Sequence, residues 1–285
     1  MSTQIKICAM SDLHGHLPDP EQIEKVDVVV ICGDIVPLKI QRASMFVDEW
    51  LKNEFKEWVK LLPCERVILT PGNHDFYFHS APRTKLEDTL NHIGKKLVYL
   101  EDDTYIYKGV SFYGCPWCTG PLDWAFCPGN SMLYHGVYKE IVTIEDMYNQ
   151  IPECDVLLTH QPPSIGNLGK SFYWDPCKST DWGSDRLRIH LKDKNILVNF
   201  SGHVHSGDHE RILYPTLGCD TVFYNVSASR PSVEASTTEE SIEVQTESVD
   251  ITCGGHPTTG DVKASLLSTD TGYSTFFDNV YQKTV

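Results

Sequence analysis

The sequence predicts a layered α/β fold, on three observations. Short apolar, β-branched runs alternate with longer segments, and the segment between the second and third runs has helical periodicity. Five of these runs end abruptly in polar, chemistry-bearing side chains. The chain has 285 residues, 41% of them hydrophobic, enough to bury a core as one large domain or two small ones.

The first strand is expected at residues 5–10 and runs into Ser11-Asp12-Leu13-His14-Gly15-His16. The second, residues 26–32, ends at Gly33-Asp34. An amphipathic helix follows, with Phe46, Val47, Trp50, Leu51, Phe55, Trp58, Val59 and Leu62 at three- and four-residue steps. It feeds the third strand, residues 66–70, which opens onto Pro71-Gly72-Asn73-His74-Asp75. A weaker helix is expected near residues 86–93, then short strands at 97–100, 104–107 and 110–113. Lys108-Gly109 makes the last two a hairpin.

A loop rich in Gly, Pro and Trp spans residues 114–136, and Thr143 with Asp146 has the pattern of a capping box. The strand at 155–159 ends at His160. A second Pro/Gly/aromatic loop, residues 161–183, precedes a helix around 187–191. The strand at 196–200 runs into Ser201-Gly202-His203-Val204-His205, and a further strand is expected at 221–226. These elements assign residues 1–228 to one domain. Residues 229–285 form a polar extension rich in Ser, Thr and Glu. A faint alternation (Ile242, Val244, Val249, Ile251) suggests a hairpin or lid there.

Composition narrows the partners. A net charge of -15 argues against a nucleic-acid backbone or an anionic membrane. No apolar run approaches the roughly 18 residues of a membrane span, and the N-terminal run leads straight into polar residues rather than a secretory cleavage site. A cytoplasmic location is the expectation. Ten cysteines in such a chain are expected to be reduced thiols.

The five strand ends carry Asp12/His14, Asp34, Asn73/His74/Asp75, His160 and His203/His205. Singly, each is an ordinary turn cap or surface group. Together, at the carboxyl ends of strands, they are expected to converge on one edge of the sheet, where α/β proteins build sites. Residues two apart at a strand end point the same way, so Asp12 with His14, and His203 with His205, are each expected to face one cavity. Gly33, Gly72 and Gly202 permit close backbone approach beside the clusters. Asp75 supplies a carboxylate placed to orient the His74 imidazole.

In order, D-x-H, G-D, G-N-H-D, an isolated H and G-H-x-H resemble the calcineurin-like metallophosphoesterases, over roughly residues 5–226. Gly114-Cys115-Pro116-Trp117, Asp123-Trp124-Ala125-Phe126 and Thr159-His160-Gln161-Pro162-Pro163 look like the metallophosphoesterase-domain-containing branch, which is associated with cyclic nucleotide phosphodiesterase activity. The resemblance implies a four-layer α/β/β/α sandwich of two mixed β-sheets flanked by helices. It also implies two divalent metal ions, one held by Asp12, His14 and His205, the other by Asn73, His160 and His203, with Asp34 bridging.

That ligand set has a chemical logic. Two ions about 3.5–4 Å apart can share a bridging hydroxide and clamp the attacking and leaving oxygens of an in-line displacement. Only two carboxylates are among the ligands, which leaves a local charge of roughly +2, so an acidic protein still attracts a small anionic phosphoester. Mixed His, Asp and Asn ligation suits Mn, Fe or Zn. His74, in the family's non-ligand position, would bind the phosphoryl oxygen or protonate the leaving group, with Asp75 fixing its tautomer.

The same metal core serves phosphodiester and phosphomonoester hydrolysis. A non-catalytic binding module is the other class, and such proteins usually lose a ligand. Substrate discrimination falls to the two loops, where Trp117, Trp124, Phe172, Tyr173, Trp174 and Trp182 either stack a base or pack the loops themselves. Cys115-Pro116-Trp117-Cys118 has the C-x-x-C spacing of redox pairs and zinc sites, with Cys127 nearby. It follows a strand rather than starting a helix, which argues against a lowered thiol pKa and a redox role.

Overall fold

The computed structural model describes residues 3–129, 131–140, 143–171, 180–205, 212–215, 220–228, 247–253 and 264–265. The first sheet contains β1 (Thr3–Met10), β2 (Val28–Cys32), β3 (Arg66–Thr70) and β4 (Leu97–Tyr99), all mutually parallel. The second is built on β5 (Asp103–Tyr107), β6 (Val110–Cys115), β9 (Cys154–Thr159), β12 (Ile196–Ser201), β13 (Ile212–Pro215) and β14 (Asp220–Asn225). There the parallel run β6, β9, β12, β14 is flanked by antiparallel β5 and β13. Two small hairpins, β7 (Ser131–Tyr134) with β8 (Val137–Glu140) and β10 (Lys170–Ser171) with β11 (Thr180–Asp181), stand outside the sheets.

Strand alternation sets the layers. One face of the first sheet (Ile5, Ile7, Ala9, Val28, Val30, Ile68) packs on Phe112, Val156, Leu158, Val198 and Phe200 of the second, all buried. The opposite face of the first sheet, including Met10, Ile31 and Leu69, packs on helices, and Tyr113, Leu157 and Phe223 do the same for the second. The result is the α/β/β/α sandwich. Among the described residues, no helix is long and apolar enough to cross a membrane.

The first long helix is interrupted in an informative way. It runs as α1 (Ser44–Trp50), a π turn (Leu51–Phe55) and α2 (Lys56–Leu61). Val47, Leu51, Phe55 and Val59 are four apart and all buried. Successive four-residue steps overshoot a 3.6-residue repeat, and the wider π turn takes up the excess, keeping one stripe on the sheet. Phe46, placed on that stripe by the sequence, is instead 53% exposed.

Local signals hold elsewhere. Lys108 and Gly109 both take positive φ (48° and 84°), the two-residue turn that matches strand twist in the β5–β6 hairpin. Thr143 and Asp146 form the capping box of α5 (Ile144–Tyr148). The stretch 114–136 is not all loop, because its end forms the β7–β8 hairpin around His135-Gly136, also at positive φ. A short α3 (Phe76–Ser80) precedes α4 (Arg83–Ile93), and α6 (Asp185–Leu191) is capped by Ser184. Beyond residue 228, β15 (Glu247–Cys253) pairs antiparallel with β1 and with β16 (Ala264–Ser265) at the edge of the first sheet. Ile242 and Val244 lie outside the described residues.

The inter-sheet layer is the part of the core least able to relax. Phe112, fully buried between the sheets, is expected to cost about 3–5 kcal/mol when changed to Ala. The shift in urea midpoint of the metal-free protein measures it.

Candidate metal centre

The parallel strands bring five ends to one edge. Asp12 N donates to Gly33 O (2.9 Å), Gly202 N to His160 O (2.8 Å) and Ala228 N to Ser11 O (3.0 Å). A single parallel bridge, Ser11 to Ser227, joins the two sheets there. The edge is thus shared by β1, β2 and β3 of one sheet with β9, β12 and β14 of the other.

The chain leaves these strands by left-handed residues. Asp12 (φ 60°), His14 (46°), Asp34 (55°) and His203 (71°) sit where L-residues cost of order 1 kcal/mol each. The paired side chains therefore converge through these turns, not through the strand alternation expected from Asp12-x-His14. Two glycines make room. A Cβ on Gly72 would overlap Asp34 Oδ1, and one on Gly202 would overlap Ser11 Oγ and Asp12 Oδ2.

Eight side chains meet. Asp12, His14 and His205 place one ligand atom each within 4.8 Å of one another, as do Asp12, Asp34 and His160, and His14, Asp34 and His74. Asn73 Oδ1 lies 2.9 Å from both His160 Nε2 and His203 Nδ1. Asp34 Oδ2 sits in the middle, 3.3 Å from His160 Nε2 and 3.9 Å from His14 Nε2.

The chemistry of this donor set fits cations. His160 Nδ1 donates to Cys32 O and His205 Nδ1 to Ala228 O, both at 2.7 Å, which points each Nε2 inward as a ligand. His205 Nε2 then faces Asp12 Oδ1 at 3.5 Å and His14 Nε2 at 3.3 Å. Asp12 Oδ1 is buried without a hydrogen-bond partner, while its Oδ2 accepts from His203 N and Ser227 Oγ (both 2.8 Å). Inward-facing acceptors and an orphaned carboxylate oxygen are costly unless a cation lies among them.

Burial sets the protonation of the metal-free site. It pushes His14 down to about 3 and, with neighbouring His160, His203 to about 4, leaving both neutral and ready to ligate. Burial would also lower His160, but the charge and hydrogen bond of Asp34 lift it to about 9. In return, despite its burial, the Asp34 carboxyl is held well below the usual range by His160, His74 and His14.

His74 and Asp75 do not form the pair expected from the sequence. Asp75 Oδ2 accepts from Asp34 N and Gly72 N (both 2.8 Å), and Oδ1 from Ile35 N and Val36 N (both 3.1 Å). Its oxygens are taken by backbone, so Asp75 braces the strand-end loops instead of fixing the His74 tautomer. His74 Nδ1 meets Gln41 Oε1 at 2.7 Å, its Nε2 lies 3.9 Å from Asp34 Oδ2, and its backbone N donates to Asp34 Oδ1 (2.8 Å). The Trp124 ring stands edge-on to His74 with centroids 4.5 Å apart.

The aromatics divide accordingly. Trp117 is buried, its Nε1 donating to Asp102 Oδ2 (2.6 Å), and packs the loop. Trp124 lines the site and Trp182 is exposed. Phe172, Tyr173 and Trp174 lie outside the described residues. Cys115, Cys118 and Cys127 are free, buried thiols that burial pushes up, Cys127 to about 12, the reverse of a reactive pair. Sequence reasoning missed Gln41, Ser227 and Ala228, none of which carries a motif or spacing.

The model of the calcineurin-like phosphoesterases matches residues 5–207. The chain belongs to that family. Metallophosphoesterase domain-containing protein 1 of Homo sapiens and of Mus musculus are each 26% identical over 224 residues, covering 71% of this chain and 61% of theirs. The chain thus spans less than two thirds of those relatives. One solved structure, 14% identical, superposes with a TM-score of 0.55 over 88% of this chain and 95% of its own. The NAD nucleotidase of Haemophilus influenzae, 13% identical, does so with 0.50 over 94% and 55%. These likenesses show the calcineurin-like fold.

Two outcomes test the site. Asp75→Ala strands four backbone N–H groups, so it is expected to lower stability by at least about 3 kcal/mol and to weaken metal retention, seen in denaturant unfolding and metal analysis. Metal uptake at neutral pH must displace the His160 proton. Calorimetry in buffers of different ionisation heat is expected to show release of about one proton, with affinity rising as pH approaches about 9.

Proposed function

We propose that this protein is a two-metal hydrolase of small phosphodiesters, cyclic nucleotides among them. The observation that carries this reading is a complete ring of His, Asp and Asn donors with a further histidine, His74, beside it. Mn, Fe or Zn suits that donor set. When bound, a pair of such ions supplies Lewis-acid polarisation of the phosphoryl group and activation of water.

The chain's own residues supply the rest. Asp12, His14 and His205 would hold one ion, Asn73, His160 and His203 the other, and Asp34 both. His74 presents Nε2 on the same side as Asp34 and donates a proton to the leaving oxygen. Trp124 and Phe76, with centroids 5.8 Å apart, form a wall beside His74, and the Arg42 guanidinium lies 4.0 Å above the Phe76 ring. That wall offers a stacking surface to a planar part of the substrate, a nucleobase or an aryl ring.

Charge favours a diester over a monoester. Among the described residues, no lysine or arginine forms an ion pair with Asp12 or Asp34, whose partners there are histidines. Arg42, the cation of the adjoining wall, is paired with Asp123, so among the described residues the ions would supply the charge nearest the two carboxylates, which suits a singly charged diester better than a dianionic monoester. Monoester hydrolysis is the alternative, and a nucleotidase shares the fold.

The test is a panel on the metal-reconstituted protein: 2′,3′- and 3′,5′-cyclic nucleotides, an aryl diester and a monoester. Diesters are expected to be preferred, and activity on monoesters alone would overturn the reading. Asp34→Ala is expected to abolish turnover. His74→Ala should keep its metals while losing about 10²–10⁴-fold in kcat on an unactivated diester.

A further inference from the structure

We propose that Gln41 is the positioning residue of His74, holding Nδ1–H so that Nε2 meets the leaving group. The inference rests on the acid role proposed for His74. Three observations support it. Gln41 Oε1 lies 2.7 Å from His74 Nδ1, a length typical of a strong hydrogen bond. Asp75, the carboxylate nearest in sequence, is committed to the N–H groups of residues 34, 35, 36 and 72.

The third observation is that Gln41 is held from both sides. Ile40 packs against the core, and its N–H donates to Pro37 O (3.0 Å). Arg42 stacks on Phe76 and pairs with Asp123 (3.5 Å). The start of the same loop is fixed by Asp75 and by His14 N and Gly15 N, which donate to the carbonyls of Asp34 and Ile35 (both 2.8 Å). The amide oxygen is therefore presented by a braced loop.

An amide oxygen only accepts, and it keeps accepting from Nδ1–H whether the ring is neutral or charged. A water that has given one proton to solvent attacks phosphorus as hydroxide, and as the new P–O bond forms, the P–O bond to the leaving group breaks and its electron pair goes to oxygen. That oxygen takes the proton from His74 Nε2, leaving a neutral ring with Nδ1–H still on Gln41. A nitrophenolate departs without a proton, whereas an alkoxide does not. Loss of Gln41 should therefore discriminate between leaving groups, which a general loosening of the fold would not.

The experiment compares Gln41→Leu, Gln41→Glu and His74→Ala, zinc-loaded, on a 3′,5′-cyclic nucleotide and on a nitrophenyl diester. Gln41→Leu is expected to lose about tenfold to a hundredfold in kcat on the cyclic nucleotide at unchanged KM, and less than about threefold on the nitrophenyl ester. Zinc content should not change, and Gln41→Glu should recover the rate. Equal losses on both substrates, or none, would overturn the inference. If His74→Ala discriminates and Gln41→Leu does not, Gln41 fails alone. If His74→Ala does not discriminate, the acid reading itself fails. Nitrogen-15 NMR of the zinc-loaded protein adds a readout independent of turnover. At a pH high enough for the ring to be neutral, the state left after proton donation, His74 is expected to hold the Nδ1–H tautomer and to lose that preference in Gln41→Leu, and an unchanged tautomer there would also sink the proposal.

Discussion

The carboxylate of Asp75 is the constraint on which the rest of the site depends. Fully buried, it accepts four backbone N–H groups from two loops that leave different strands. Burial and the nearby charge of Asp34 push its carboxyl up to about 7, and the N–H groups pull against that. Without this acceptor, each of those N–H groups would be buried unpaired, at a cost of roughly 1–3 kcal/mol. By tying residues 34–36 to the turn at Gly72, it sets Asp34, Asn73 and His74 in one frame, with Gln41 further along the first loop.

Around that brace, backbone carbonyls do much of the orienting. Cys32 O and Ala228 O take the outer nitrogens of His160 and His205, which decides which nitrogen faces inward. Ser227 Oγ and His203 N take one oxygen of Asp12 and leave the other to the site. Left-handed turns at four of the ligand-type residues store strain where the packing over-determines it. The electrostatics follow the same division. In a chain of net charge -15, two carboxylates among the described residues, Asp12 and Asp34, face the ligand space, and a third, Asp75, is spent on backbone.

Burial also settles which suggestive features are inert. The C-x-x-C thiols lie in a loop whose packing excludes water, so they stay protonated and serve as small apolar groups. Trp117 is consumed in the same packing. Trp124, a few residues on, emerges beside His74 because Ala125 N donates to Asn73 O (3.3 Å), pinning that part of the loop to the site.

The alternation of strands and helices, the Lys108-Gly109 turn, the Thr143–Asp146 capping box and the donor types at five strand ends are legible in the amino-acid sequence. These are encoded locally, in periodicity, turn residues and side-chain chemistry, within a few positions of where they act. Which partner each donor takes is set by the folded chain. Asp75 neighbours His74 in the chain, yet a tight turn points its oxygens at residues 34–36, while Gln41, 33 positions away, reaches the ring. The four-residue drift absorbed by a π turn, the exposure of Phe46 and the pairing of β15 with β1 are of the same kind. Hydrogen bonds and burial between distant segments depend on how loops fold back, and no spacing along the chain carries that information.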